Sequence, residues 1–306
     1  MIQFMKDTKY DFLKYARIAI TISISIMVGA ILVMFLVHGG PNFSIDFVGG
    51  TVVQLKFEKA VRGDMGKIRA IVAAMNFGNP EIKTVGPVTH NELQITVKKK
   101  AEGSLVGDQL RVAIQKGYPD NKFELRRQEQ VGPKIGSELR SDAIIMIILA
   151  LLALLVYVGF RFSLPFGVAA IIPLFHDSCI AISPFLFFDY EMSLSTLAAV
   201  LTIVGFSIND TIVIFDRVRE NLRGGGLRQK NLAELLNWSI NQTLSRTIIT
   251  SLTVFSVVTF LFILGGTSIR DFSLTMFVGT IAGVYSTVYI ASPILLWWNK
   301  RWPITR

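Results

Sequence analysis

Six stretches of about 20 residues carry almost no charge, and they limit what this chain can fold into. They lie near residues 17–37, 141–160, 165–188, 193–215, 244–264 and 273–296. A helix rises about 1.5 Å per residue, so each stretch covers the roughly 30 Å of a bilayer's hydrocarbon core. Backbone polar groups inside that core must bond to one another, which makes such stretches helices. Charged residues are only 17% of the chain, and about half of them lie between Val48 and Arg140. These facts predict an α-helical polytopic membrane protein of six transmembrane helices with one inserted, water-exposed domain. The expected boundaries are 1–37 for the N-terminus and first helix, 38–140 for the inserted domain, and 141–306 for helices two to six. The last part includes a cytoplasmic loop at 216–243. The first stretch, Ile18 to Val37, is longer than the core of a signal peptide, and no small-x-small site follows before His38. It reads as an uncleaved anchor.

Orientation follows from the short loops. Lys6, Lys9, Lys14 and Arg17 precede the first span, and Arg161 lies between the second and third. Arg217, Arg219, Arg223, Arg228 and Lys230 lie between the fourth and fifth, and Lys300, Arg301 and Arg306 follow the sixth. The alternate links hold Asp189 and Glu191, or Arg270 beside Asp271. Both termini are expected in the cytoplasm and the inserted domain outside, since long loops translocate largely regardless of charge. The net charge of +9 is explained by these residues and a solvated domain. No recognition motif accompanies it, so no nucleic acid is expected as a partner. The single cysteine, Cys179, excludes an intrachain disulfide.

The inserted domain has a legible order. Thr51 to Phe57 alternates as a strand, with Thr51, Val53, Leu55 and Phe57 on one face. Ile68, Ile71, Val72 and Met75 have helical spacing. Glu81–Val85 and Leu93–Val97 read as strands separated by Gly86-Pro87 and His90-Asn91. Leu105 to Lys116 is helical, with Leu110, Val112 and Ile114 less cleanly placed, and Lys122 to Gln128 alternates again. The order β-α-β-β-α-β predicts an α+β, ferredoxin-like extracytoplasmic domain. Lys98-Lys-Lys100 reads as a solvated strand end. In the loop before span five, Gly224 to Gly226 predicts flexibility, and Asn231 and Glu234 have capping-box spacing. Leu232, Leu235, Leu236 and Ile240 share a face, which predicts a short helix on the membrane surface.

Enzyme chemistry finds no support. No phosphate-binding G-x-x-x-x-G-K-[ST] loop, H-E-x-x-H zinc motif or paired cysteine site is present, and the three histidines are far apart in sequence. Neither an enzyme nor a cofactor is expected. The informative residues are ionisable groups at lipid depth. Asp210 lies six residues before Asp216, about 9 Å along a helix, and so below the membrane interface. A carboxylate there costs about 2.5–3.5 kcal/mol, so it should face the bundle interior. It either takes up and releases a proton or simply bonds another helix. Arg246 in span five has similar depth and the opposite charge. It reads as a partner that binds and releases Asp210, or as an arginine snorkelling to the interface. His176 and Asp177 follow Pro173 in span three. They are either relay groups or polar partners for the carbonyl that proline frees. Ser195, Thr202, Gly205 and Asn209 form a small, polar stripe suited to close helix packing. Asn209 adjoins Asp210 and is the member closest to the chemistry.

These motifs resemble the SecF family, partner of SecD in bacterial protein export and related to the resistance-nodulation-division exporters. The resemblance covers essentially the whole chain. It rests on Ile45-Asp-Phe-Val-Gly-Gly50, Val131-Gly-Pro-Lys-Ile-Gly136 and Phe175-His-Asp177. It rests further on the run from Val204 to Asn221, the run from Asn241 to Ser251, and Ile269-Arg-Asp-Phe272. Val48 departs from the threonine frequent at its place. The resemblance implies a six-span half paired with a SecD half in the bacterial inner membrane, with a periplasmic domain that helps move the exported chain. It implies the proton gradient as energy source, SecYEG and the unfolded translocating polypeptide as partners beside membrane lipids, and Asp210 and Arg246 as the proton-coupling residues. Two alternatives stay open: a proton-driven small-molecule exporter of the same superfamily, and a passive translocon scaffold.

Overall fold

The computed structural model describes residues 8–77, 80–85, 91–98, 106–225 and 231–302. Lys6, the Gly86-Pro87 turn with His90, Lys99, Lys100, Leu105, Gly226, Arg228, Lys230 and Arg306 lie outside the described residues. The chain forms two units. One comprises Met1–Asn42, Ile147–Tyr190 and Ser195–Arg306, and the other Phe43–Met146 with Glu191–Leu194.

Six helices among the described residues are long and apolar enough to cross a membrane. They are α1 (Phe12–Leu36), α5 (Pro133–Arg161), α6 (Leu164–Phe188), α7 (Leu194–Arg223), α8 (Leu232–Leu264) and α9 (Thr267–Ser286). The last continues through a π-helical turn (Thr287–Ala291) into α10 (Ser292–Arg301). The expected short surface helix before span five does not exist as a separate element. Its residues are the first turns of α8, which runs unbroken into the membrane. The reason lies in the sequence: no glycine or proline falls between Leu232 and Leu264, so nothing stops the helix. Its start is capped as expected. Asn231 Oδ1 accepts the Glu234 N–H at 2.9 Å, and Asn231 Nδ2 donates to Glu234 Oε1 at 2.9 Å. Leu232, Leu235, Leu236 and Ile240 are buried, packed with Phe162, Phe166, Phe215 and Leu295. Likewise α7 continues past Asp216 to Arg223, so most of the expected loop at 216–243 is helix.

The start of α1 is held by α8. Asn237 Oδ1 accepts the backbone N–H groups of Phe12 at 3.0 Å and Leu13 at 3.2 Å, and its Nδ2 donates to Asp11 at 2.7 Å. First-turn N–H groups have no partner within a helix, so this asparagine supplies what the helix lacks. Asn237→Ala is expected to cost about 1–3 kcal/mol, since the partly buried donors lose their acceptor. A lowered thermal midpoint of the detergent-solubilised protein would show it, and an unchanged midpoint would contradict it.

The other unit holds α2 (Ile45–Val48), β1 (Gly50–Phe57), α3 (Met65–Ala73), β2 (Glu81–Val85), β3 (Glu92–Val97), α4 (Val106–Gly117) and β4 (Phe123–Val131). The four strands form one antiparallel sheet in the order β2-β3-β1-β4. Val53, Leu55 and Phe57 of β1 join Ile68, Val72, Leu110 and Ile114 of the two helices in one core. The alternation expected in β4 is interrupted. Leu55 pairs with Leu125 while Gln54 pairs with Arg127, so Arg126 is an extra residue in a bulge.

Two family motifs meet in this unit. Gly49 has φ +76°, and a Cβ there would lie 2.8 Å from Pro133 Cα. Gly50 has φ +147°, and a Cβ would strike the Val97 carbonyl oxygen. Gly136 completes the contact, since its Cβ would come within 2.8 Å of Gly49 N. Asp46 of the same motif accepts the Leu194 N–H at 3.0 Å, the first residue of α7.

Lys98 is not the freely solvated residue expected from the sequence. It lies 2.9 Å from Glu191 and 3.8 Å from Glu81, which also pairs with Lys83. Burial alone would raise Glu81, but Lys83 and Lys98 hold it below the ordinary carboxylate range, while burial beside Glu81 pushes Glu191 up.

Candidate functional site

The period of α7 sorts its polar residues onto two faces. Ser207, Asp210, Thr211 and Ile214 are buried, whereas Thr202, Gly205 and Asn209 are exposed on the other side. Among the described residues, the Thr202, Gly205 and Asn209 part of the small, polar stripe is therefore not packed within this bundle, while Ser195 is half-buried. Nothing lies within 4 Å of where a Cβ on Gly205 would stand. Asn209, although adjacent to Asp210, points away from it because neighbours on a helix are about 100° apart.

Asp210 is 2% exposed. Its Oδ2 accepts the Ser251 hydroxyl of α8 at 3.3 Å, long for an O–H···O bond. The Thr250 hydroxyl lies beside it, and Arg246 is within electrostatic reach. None of the ion pairs within 4.0 Å among the described residues joins Asp210 to Arg246. The period of α8 explains the separation. Thr243, Thr247 and Ser251 are buried at i, i+4 and i+8, while Arg246 is exposed. Gln242, Arg246, Ile249, Thr253 and Ser256 form one open face at i, i+4, i+7, i+11 and i+14. A buried carboxylate held by two side-chain hydroxyls and no ion pair is costly as an anion.

His176 and Asp177 of α6 lie against the same face of α7, not against a carbonyl freed by proline. Asp177 Oδ1 is 2.9 Å from His176 Nδ1, and its Oδ2 accepts from Ser207 at 2.5 Å and from Ser286 of α9 at 2.8 Å. Thr211 and Thr287 hydroxyls meet at 3.3 Å. The freed carbonyl that does find a side-chain partner is that of Ile180, four residues before Pro184, which accepts from Ser183 at 2.7 Å. The sequence leaves Ser207, Ser251, Ser286 and Thr287 unmarked; for Ser207 and Ser251 the available signal is a hydroxyl one or two turns from a charged residue on an apolar helix, and Ser286 and Thr287 carry none. At the helix ends, Arg161 holds Asp216 through two hydrogen bonds of 2.9 and 2.7 Å. Both are half-exposed, so the pair contributes about 0–1 kcal/mol.

Residues 111–301 match the family described as "Protein export membrane protein SecD/SecF, C-terminal", and residues 35–61 match the "SecD/SecF GG Motif". The protein translocase subunit SecF of Gemmatimonas aurantiaca is 37% identical over 308 residues, covering 99% of this chain and 91% of that protein. The SecF of Pseudomonas aeruginosa is 41% identical over 260 residues, covering 85% and 82%. The crystal structure of SecDF, a translocon-associated membrane protein from Thermus thermophilus, matches with TM-score 0.83 and 35% identity. That match covers 96% of this chain and 39% of the SecDF chain, so this chain spans about two fifths of its length. With motifs, helices and relatives in agreement, this multi-pass membrane protein belongs to the SecD/SecF family of protein-export membrane proteins, as a SecF-type subunit.

Proposed function

We propose that this chain is one half of a proton-driven export machine. With a SecD-type half it uses the proton gradient to drive late steps of polypeptide translocation across the bacterial inner membrane, acting on the unfolded chain at SecYEG. The observation that carries this reading is Asp210, buried, bonded to Ser251 at 3.3 Å with the Thr250 hydroxyl beside it, and near an Arg246 with which, among the described residues, it forms no ion pair. A deprotonated Asp210 is drawn to Arg246, and a protonated one is released. Alternating between these states shifts α7 against α8 once per proton. The cycle needs no cofactor and makes no covalent bond, so the chain is a transport subunit and not an enzyme.

The open faces of α7 and α8 support the partner half. Thr202, Gly205 and Asn209 on one helix and Arg246, Thr253 and Ser256 on the other are exposed at positions where lipid would be the alternative neighbour. Polar and small residues in membrane helices favour another helix over hydrocarbon. Gly205→Leu is expected to leave the chain folded, since its Cβ meets open space. It should sharply reduce recovery of the SecD-type half in mild detergent. Undiminished recovery would place the interface elsewhere.

The basic short loops support a topology with both termini in the cytoplasm and the sheet-bearing unit in the periplasm. The β-α-β-β-α-β order and the strand order β2-β3-β1-β4 support a ferredoxin-like reading of that unit. In a Cys179→Ala background, Gly224→Cys should react with an impermeant thiol reagent only from the cytoplasmic side, and Asp120→Cys only from the periplasmic side. The reverse pattern would overturn the orientation.

The functional test is export with the gradient intact or collapsed by a protonophore. Membranes with the wild-type chain should slow when the gradient is lost. Membranes with Asp210→Asn at normal abundance should already be slow and no longer respond. Asp210→Asn exporting at the wild-type gradient-dependent rate would defeat the proposal.

A further inference from the structure

A second buried acid–base pair stands beside the Asp210 site. Asp177 is 0% exposed and its oxygens hold three partners from three helices: His176 on α6, Ser207 on α7 and Ser286 on α9. His176 is 7% exposed, and its Nε2 is buried with no hydrogen-bond partner among the described residues. With Nδ1–H donating to the Asp177 carboxylate, the neutral ring presents a bare lone pair at Nε2. Leaving a buried polar atom unsatisfied is costly, so a merely structural histidine here would be poorly served. A proton at Nε2 instead makes an imidazolium against a carboxylate already oriented to receive it.

The surroundings fit a site that changes charge. The Tyr285 ring of α9 lies 5.9 Å from the His176 ring, and its hydroxyl meets Ser23 of α1 at 2.6 Å. Immediately after Ser286, α9 becomes π-helical, a departure often found at functional sites. Ser207 lies one turn before Asp210 on the same buried face of α7. The titratable groups facing the pair are thus Tyr285 on α9 and, one turn along α7, Asp210; α1 contributes the uncharged Ser23.

We infer that His176 is a second proton-binding group of this subunit, accepting a proton at Nε2 and held in register by Asp177 as its positioning residue. Gaining the proton takes the pair from net negative to neutral, and losing it reverses the change. No other co-reactant is needed. The inference rests on the reading of this subunit as proton-driven and adds a site to it.

The chain has three histidines, so His38→Gln with His90→Gln leaves His176 as the single imidazole to observe. In the full-length subunit with its SecD-type partner in nanodiscs, 15N-imidazole NMR should show Nδ1 protonated throughout. Nε2 should change reversibly as pH is varied across the range in which export is driven. Asp177→Asn should move that change to lower pH, because the counter-charge is gone. An Nε2 signal that does not change with pH, or one indifferent to Asp177→Asn, overturns the inference. His176→Gln should then alter the pH profile of gradient-stimulated export, whereas a structural role would reduce abundance equally at all pH values. The two readings fail separately. A silent His176 with an inactive Asp210→Asn removes only this site, and a titrating His176 with a fully active Asp210→Asn removes only the role of Asp210.

Discussion

Arg246→Leu is expected to abolish gradient-stimulated export while the chain stays at wild-type abundance. Arg246 is exposed on its own chain and, among the described residues, holds no ion pair within 4.0 Å, so its removal breaks no salt bridge of the fold. An arginine at membrane depth also costs about 2.5–3.5 kcal/mol on insertion scales, which leucine does not. What is lost is the cation that competes with the proton for Asp210. Arg246→Lys keeps the charge but loses the planar fork that binds a carboxylate through two parallel bonds, so at most a small fraction of the stimulation should remain. Paired measurements of export and membrane abundance decide the matter. Wild-type stimulation in Arg246→Leu would remove Arg246 from the mechanism, and loss of abundance in proportion to loss of export would make it structural.

Gly50→Val is expected to unfold the sheet-bearing unit. Its φ of +147° is a conformation that residues with a side chain rarely adopt, and a Cβ would strike the Val97 carbonyl oxygen in the neighbouring strand β3. The conformation alone costs about 1–3 kcal/mol, and the clash with backbone adds to it. Gly49→Ala, at φ +76° and 2.8 Å from Pro133 Cα, should be milder only because alanine is smaller. Against a domain stability of about 5–15 kcal/mol, strain plus clash consumes a large part of the margin. Limited proteolysis of the whole chain should cut within residues 43–131 for Gly50→Val and spare the wild type. Equal resistance would show that the motif tolerates side chains.

Much of this was legible in the sequence. The six spans were visible because hydrocarbon forces an uninterrupted apolar run, and the β-α-β-β-α-β order because strand and helix periods differ. Asp210 stood out because an acid at lipid depth is costly wherever it points. What could not be read was which way side chains face. The stripe at Thr202, Gly205 and Asn209 suggested packing, but the same period that buries Ser207 and Asp210 turns it outward. Asp177 could be seen as polar and buried, yet its partners Ser207 and Ser286 lie 30 and 109 residues away. Contacts at that separation depend on how helices assemble, and no local pattern records them. The continuity of α8 was missed for a different reason: a cap and an apolar face mark where a helix begins and do not say where it stops.

Proton entry into liposomes tests the role of Asp210 most directly. The purified chain and its SecD-type half would be reconstituted under an imposed pH gradient, with internal pH followed by a trapped dye, for wild type and for Asp210→Asn at matched protein content. Wild type is expected to dissipate the gradient faster than lipid alone, and Asp210→Asn to match lipid alone. Asp210→Asn passing protons at the wild-type rate would contradict a coupling mechanism built on this carboxylate.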